Sequence, residues 1–436
     1  MSNTRRFGAL VALTLTLVLA ACSTSDDLAT TPNLEPQFGT RGRDSVTDVA
    51  YGKALSLYAV GTWNSLRSYE YDDSAPQDAF VRRYDRNGSL VWENYLDIEP
   101  AYEGPYDGYV PILTARAVAV DGSGNAIVAW SGEYAEQRYD DLNDRYYYDV
   151  AATFNYLTKY SSSGSKVWRV YTNSALTDLA TDSSGNIYAT SASALVKYTL
   201  GGAQSWSRSQ SLPTGVTVSS SNNVYIVRQD GAVVKYNASG TQLYLKTGQL
   251  DGYNDASQYS SSDPYKIVAG LSDELYVTGS RFDSIGSSCD AGYIYDNYTM
   301  RAFKLSNTGI RQWVKDVATL TRGEGDTCYG EYPTYLKGLG VAADNQGNVY
   351  IAGGQNGSGS YDQDGFIAKY TRTGALSWKK GFGTSKDDTA TSVATYDGSE
   401  VFMGGVTEGF LVHRQIGRGD AILREVNSSG NPSWAR

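Results

Sequence analysis

Carboxylates are the only groups in this chain present in enough number, and close enough together, to suggest chemistry. Of 436 residues, 47 are Asp or Glu, against 37 Lys or Arg and one histidine. Asp140, Asp141 and Asp144 crowd one stretch, with Asp149 behind them, and Asp362 and Asp364 form a second group. Oxygen donors clustered in this way suit calcium, but a solvated acidic loop gives the same pattern, and no metal is assigned. The turns Asp121–Asn125, Asp182–Asn186 and Asp344–Asn348 read Asp-x-x-Gly-Asn. They lack the closing bidentate glutamate of an EF-hand and read as Asx turns inside hairpins. Paired carboxylates could also hydrolyse a glycosidic bond, although sequence alone does not set their separation. Any Ser-His-Asp or Cys-His mechanism would have to run through His413, which has no nucleophile motif beside it. No catalytic residue and no cofactor is assigned.

Tyrosine is the second excess, with 36 copies. Three groups stand out: Tyr134, Tyr139, Tyr146, Tyr147 and Tyr148; then Tyr293, Tyr295 and Tyr298; then Tyr329, Tyr332 and Tyr335. Among Ser, Gly and Asp, such residues offer rigid amphipathic contact area at low entropic cost, as antibody paratopes do. Packing of the same loops onto one another is the competing use. Cys289 and Cys328 are the pair left if Cys22 has another role, and in an oxidising compartment they suggest one disulfide. A structural zinc needs four ligands, which this chain is too poor in Cys and His to supply. The formal charge is −10 and becomes −12 without residues 1–21, since that removal takes Arg5 and Arg6 (35 against 47). An acidic chain is a poor partner for nucleic acid.

The elements that must carry these groups come from a repeat. Seven times a large residue is followed four positions later by glycine and four later by an aromatic, as in Tyr84-Gly88-Trp92, Tyr160-Gly164-Trp168 and Tyr198-Gly202-Trp206. The others are Tyr236-Gly240-Tyr244, Leu305-Gly309-Trp313, Tyr370-Gly374-Trp378 and Val426-Gly430-Trp434. Between copies lie short alternating runs rich in β-formers, such as Val349-Tyr350-Ile351-Ala352-Gly353, with Gly or Asn at the turns. Each unit reads as four short strands and cannot bury its own apolar face. The pattern predicts an all-β chain, a seven-bladed β-propeller with four antiparallel strands per blade. Blades are expected at about 38–96, 112–172, 173–210, 211–247, 265–318, 336–381 and 382–436, preceded by a leader at 1–21 and a flexible tether at 22–37. Phe38-Gly39-Thr40 matches Phe382-Gly383-Thr384, so both ends fall at one phase of the repeat, as in a ring cut once. Every long insertion falls between second and third strands or between blades, which share one face. That face is expected to be elaborated and the other bare.

The motif Asp-x-x-Gly-Asn-hydrophobic-Tyr, followed by Phe/Val-x-Lys-Tyr-x3-Gly-x3-Trp, resembles the bacterial SBBP-type β-propeller repeat family over residues 38–436. The resemblance implies the fold and is nearly silent on activity. Its Gly-x3-Trp half also looks like the docking motif of quinone-dependent propellers and of the lipoprotein propeller in outer-membrane barrel assembly; quinone-binding residues have no match here. Leu19-Ala20-Ala21-Cys22 follows a basic start and a short apolar run, and resembles the lipobox of bacterial lipoproteins. It implies lipid on Cys22 and a membrane anchor, and Ser23 after it leans toward the outer membrane. The expectation is a non-catalytic, lipid-anchored propeller that binds or scaffolds an envelope protein or glycan, with its oligomeric state open. The alternatives are a carboxylate enzyme acting on envelope or extracellular polysaccharide, and a structural component that assists outer-membrane protein assembly.

Overall fold

Strands of five or six residues that are buried along their whole length, such as Ile187–Ser191, can exist only if both faces of their sheet are covered. In the computed structural model the covering is done by neighbouring sheets. The structure describes residues 37–38, 43–52, 56–64, 77–96, 110–140, 145–250, 265–288, 293–323, 340–356, 363–409 and 419–433. The chain divides into two units, Met1–Thr31 and Pro32–Arg436, and every described residue lies in the second.

Seven four-stranded antiparallel sheets make the seven blades of a β-propeller. Blade 1 holds Ser45–Gly52, Ser56–Asn64, Gln77–Tyr84 and Leu90–Tyr95. Blade 2 holds Val110–Val120, Ala126–Asp140, Arg145–Tyr160 and Lys166–Tyr171. Blades 3 and 4 are the smallest, at Leu176–Thr181, Ile187–Ser191, Ala194–Tyr198 and Gln204–Ser209, then Pro213–Val218, Val224–Arg228, Val233–Tyr236 and Gln242–Lys246. Blade 5 holds Lys266–Ala269, Leu275–Ser288, Tyr293–Leu305 and Arg311–Gly323, and blade 6 holds Gly340–Ala343, Val349–Asn356, Gln363–Tyr370 and Leu376–Phe382. Blade 7 takes Asp388–Thr395, Glu400–Thr407 and Asp420–Asn427 from late in the chain and Gln37–Phe38 from early in it. Within the described residues the only helical piece is the 3-10 turn Leu271–Asp273.

Two boundaries move relative to the sequence expectation. Phe38, placed with the first blade, pairs with Ala421 in the seventh, and Phe382, placed with the seventh, pairs with Gly365 in the sixth. Both belong to the outer strand that precedes a blade, because each phenylalanine closes one sheet before the chain crosses to the next. The outer edge of blade 7 is therefore composite: Gln37 and Phe38 pair with Ile422 and Ala421, while Pro432 bridges Val426.

The blades are latched together at the end where the first-to-second and third-to-fourth turns lie. Trp92 donates its indole N–H to the Ser162 carbonyl of the next blade at 3.1 Å, and Arg83 donates to that same carbonyl at 2.7 Å. The Ala238 carbonyl likewise accepts from Trp206 at 3.4 Å and Lys197 at 2.9 Å, and the Arg372 carbonyl from Trp313 at 3.2 Å and Lys304 at 3.1 Å. Trp168 and Trp378 make the indole bond alone, to Leu200 and Ser428. Each ring lies on the next blade's glycine: Gly164 has φ +91, and a Cβ there would sit 2.9 Å from Trp92 Cγ. Only glycine takes that backbone and leaves that room. The seventh copy's Trp434 lies outside the described residues.

The Asp-x-x-Gly-Asn turns complete this end. Asp182 Oδ1 accepts the Ser184 and Asn186 N–H groups, and its Oδ2 accepts the Asn186 side-chain amide at 2.8 Å and the Tyr188 hydroxyl at 3.1 Å. Asp344 repeats the set with Gln346, Asn348 and Tyr350. Asp121 keeps the amide contacts and adds a buried ion pair with Lys159 at 2.7 Å. These carboxylates serve the fold as Asx turns.

Candidate binding face

The opposite end of the blades is where they differ most. The insertions between the second and third strands of blades 2 and 5, expected as tyrosine-rich loops, are largely strand. In blade 2 the second and third strands stay paired from Ala126 opposite Tyr160 out to Asp140 opposite Arg145. The equivalent strand of blade 3 ends at Ser191, level with Trp130. The blade 2 hairpin thus runs on for about ten residues, or about 33 Å at the usual rise. In blade 5 three strands extend, with Ser288 opposite Tyr293 and Gly323 opposite Tyr295. Asp, Gly and Ser in these segments favour turns, whereas Tyr is a β-former, and the backbone pairing follows the tyrosines.

Tyr134 is half-buried against Phe154, with ring centroids 5.0 Å apart, so it belongs to the base of the hairpin and not to its tip. Tyr139 stands opposite Tyr146 in the register, Tyr147 opposite Arg138 and Tyr148 opposite Gln137. Tyr293, Tyr295 and Tyr298 occupy the middle strand of the blade 5 extension, Tyr298 between Phe282 and Leu320. Tyr329, Tyr332 and Tyr335 lie outside the described residues, as do Cys22, Cys289, Cys328 and His413. Of the calcium candidates, Asp140 ends a strand opposite Arg145 and Asp364 sits in the blade 6 ladder opposite Gln355. Asp141, Asp144 and Asp362 lie outside the described residues. Among the described residues no group of three or more His, Cys, Asp or Glu side chains is placed to hold a metal ion.

A set of charges missed by the repeat reading lines the ring's centre, on the innermost strands near this same end. Asp48 of blade 1 accepts N–H groups from Val49 and from Val118 of blade 2, each at 2.9 Å, and the hydroxyl of Ser392 of blade 7 at 2.6 Å. Asp178 of blade 3 accepts from Val216 N of blade 4 at 2.9 Å and lies 3.5 Å from Lys266 Nζ of blade 5. Burial raises the Asp48 pKa, Lys266 opposes the rise and Asp178 adds to it. Burial works against the Lys266 ammonium, yet Asp178 and Asp48 outweigh it and hold its pKa above the ordinary lysine value. An innermost strand has no neighbour on its axial side, so its N–H groups need side-chain acceptors. Both carboxylates have been recruited for that purpose. Bulges at Val46/Asp48 and Leu176/Asp178 are the local irregularities that aim them, and no periodic pattern betrays a bulge in advance.

No protein-family profile matches the chain, and no curated protein does. Solved structures similar to it include a catalytically inactive virginiamycin B lyase from Staphylococcus aureus with quinupristin, at 10% identity over 89% of this chain and 97% of that one, with TM-score 0.46. BamB from Moraxella catarrhalis is similar at 11% identity, 86% and 95% coverage and TM-score 0.38. The WD40 β-propeller domain of Doa1 is similar at 8% identity, 89% and 95% coverage and TM-score 0.45. These likenesses concern the fold alone.

Proposed function

We propose that the chain is a non-catalytic binding or scaffolding propeller, lipid-anchored at a cell envelope, which engages a protein or glycan partner with its elaborated face. One observation carries the reading: strands of blades 2 and 5 project far past the ring at one end only, while the other end is spent on latching blades together. Extended ribbons on a rigid ring present contact area without disturbing the core. The anchor rests on Leu19-Ala20-Ala21-Cys22, and Cys22→Ser is expected to shift the protein from the membrane to the soluble fraction. A carboxylate enzyme at the ring's centre is less well supported, because both carboxyl oxygens of Asp48 and of Asp178 already have partners.

A disulfide between Cys289 and Cys328 belongs to the same proposal. Ser288, directly before Cys289, and Gly323, five residues before Cys328, flank the same strand at Tyr293 and Tyr295. Two reactive thiols at these positions in the unfolded, unreduced protein would end that part.

The direct test replaces residues 135–151 with Asn-Gly, leaving Tyr134 and Ala152 to close a short hairpin. Affinity capture from detergent-solubilised envelope should lose its partner with this variant, at an unchanged melting temperature. Equal capture by the two proteins would refute the assignment of blade 2 as a contact element.

A further inference from the structure

One cleft in the molecule is built differently from the gaps around it. It lies on the side of blade 3 that faces blade 2, at the rim where the small blades leave the elaborated face low, an open groove of about 680 Å³ lined by blade 3 and by the links at 172–174 and 210–211. That volume is in the range of small-ligand sites. Its floor is one face of blade 3, where the register sets Leu176, Ser191, Ala194 and Ser209 in a row across four strands. Val196 with Ser207, and Tyr198 with Gln204, form the next two rows. Thr172, Asn173 and Ser174 of the interblade link form the lip.

The neighbouring gap shows why this one is open. Between blades 3 and 4 the link residue Gln210 donates its side-chain amide to the hydroxyl of Tyr236, which also donates to Gln242 at 3.4 Å. Gln210 N bonds Ser193 O, and the residue with the same backbone bond one blade earlier is Thr172, to Asn155 O. Thr172 is too short to cross, and its hydroxyl turns to Ser174 O at 3.0 Å. Tyr198 holds the repeat position of Tyr236, yet its phenol has no hydrogen-bond partner among the described residues. Burial raises its pKa, so it is a neutral donor. The hydroxyls of Ser191, Ser207 and Ser209 are also without protein partners there.

None of the residues lining the cleft is charged. A phosphate, carboxylate or ammonium entering it would lose hydration with no counter-charge to offset the loss. Serine hydroxyls, amides and a phenol instead both donate and accept, as sugar hydroxyls do, and Leu176, Val196 and Tyr198 offer an apolar floor for the C–H face of a sugar ring. We propose that the cleft between blades 2 and 3 binds a neutral saccharide segment of a glycan chain. No residue of the projecting hairpins lines the cleft, so a sugar would occupy it independently of any partner those hairpins bind.

The test is calorimetric titration of the purified full chain with cellohexaose, maltohexaose, mannohexaose and chitohexaose, with trigalacturonic acid as the charged control. At least one neutral hexasaccharide should bind with Kd of about 0.1–1 mM, and trigalacturonic acid at least about 10-fold more weakly. Thr172→Gln, which supplies the side chain that fills the next gap, should weaken binding about 10-fold or more with an unchanged melting temperature. Ser207→Trp, on the solvent-side strand, should do the same by obstruction, and answers the question if Thr172→Gln fails to fold. Absence of binding by all four neutral sugars at about 5 mM, or binding that survives the folded variants, would overturn the proposal.

Discussion

Around Trp168, Gly202 and Asp121, polar groups have named partners in the next blade or the adjoining turn, and five of the described repeats make the same indole-to-carbonyl bond. At the other end of the same strands, blade 3 stops at Ser191 while blade 2 runs on to Asp140. The contrast explains the two kinds of spacing in the sequence. The interval from tyrosine to glycine to tryptophan never varies, because a one-residue change would move the indole off its glycine and its carbonyl. Distances between repeats vary freely, because lengthening a hairpin at the far end disturbs no latch. One end of the ring is therefore held by geometry, and the other is open to elaboration.

The sharpest way to break this comparison is to remove one partner of the buried pair at the latched end. Asp121→Asn strands the Lys159 ammonium, whose side chain is 5% exposed, and should cost about 3–5 kcal/mol in urea unfolding at neutral pH. A loss below about 1 kcal/mol would show that the pair does not hold the turn. Next comes a test within one strand. Trp168→Ala should cost about 2–4 kcal/mol, whereas Tyr171→Ala, at the elaborated end and 60% exposed, should cost less than about 1 kcal/mol. Equal costs would erase the distinction between the ends.

Acid titration separates the carboxylates of the two ends by sign. Burial alone would raise the Asp121 pKa, but hydrogen bonds from Lys159 and Asn125 more than reverse this and hold it below the ordinary value. Its stabilising contribution is present above about pH 4 and lost as pH falls through the depressed folded value. Asp48 is raised, so its contribution is present below about pH 4 and lost as pH rises through the folded value. Relative to wild type, Asp48→Asn should gain ground as pH rises above about 4, and Asp121→Asn should recover ground only as pH falls below about 4; parallel curves would contradict both assignments. The smallest effect concerns the one latch built on tyrosine. Tyr244 lies over Gly309, and its buried hydroxyl has no hydrogen-bond partner among the described residues. Tyr244→Trp would aim an indole N–H at the Asn307 carbonyl, two residues before Gly309, as Trp206 is aimed at Ala238, two before Gly240. It should gain about 1 kcal/mol in urea unfolding, and no gain would show that this latch is already complete.

What could be read in advance follows the same division. Seven blades, their four strands and the bare end were legible because latch residues recur at fixed spacing and second strands such as Val224–Arg228 are apolar on both faces. The role of the lysine before the first latch position, Tyr198 or Leu305, was not, since Lys197 and Lys304 look like solvated charges until the next blade's carbonyl is in place. The hairpin extensions escaped for another reason. Tyr146, Tyr147 and Tyr148 carry no alternation of apolar and polar residues, and only pairing with 137–139 makes them strand. Likewise Tyr198 and Thr172 gave no sign of a cleft, which exists through a side chain that Gln210 has and Thr172 lacks.

The seam in blade 7 has a consequence for the order in which the molecule can come into being. Gln37 pairs with Ile422, so the earliest strand among the described residues must wait for nearly the last of them before it has a neighbour. Blades 1 to 6 can stack in turn as they emerge, each latching to its predecessor, but the circle stays open, with the apolar sides of blades 1 and 6 that pack on blade 7 uncovered, until the seventh arrives. Ring closure is then a single late event, and a chaperone or protease meeting the nascent chain would sense it as an all-or-none change in accessibility.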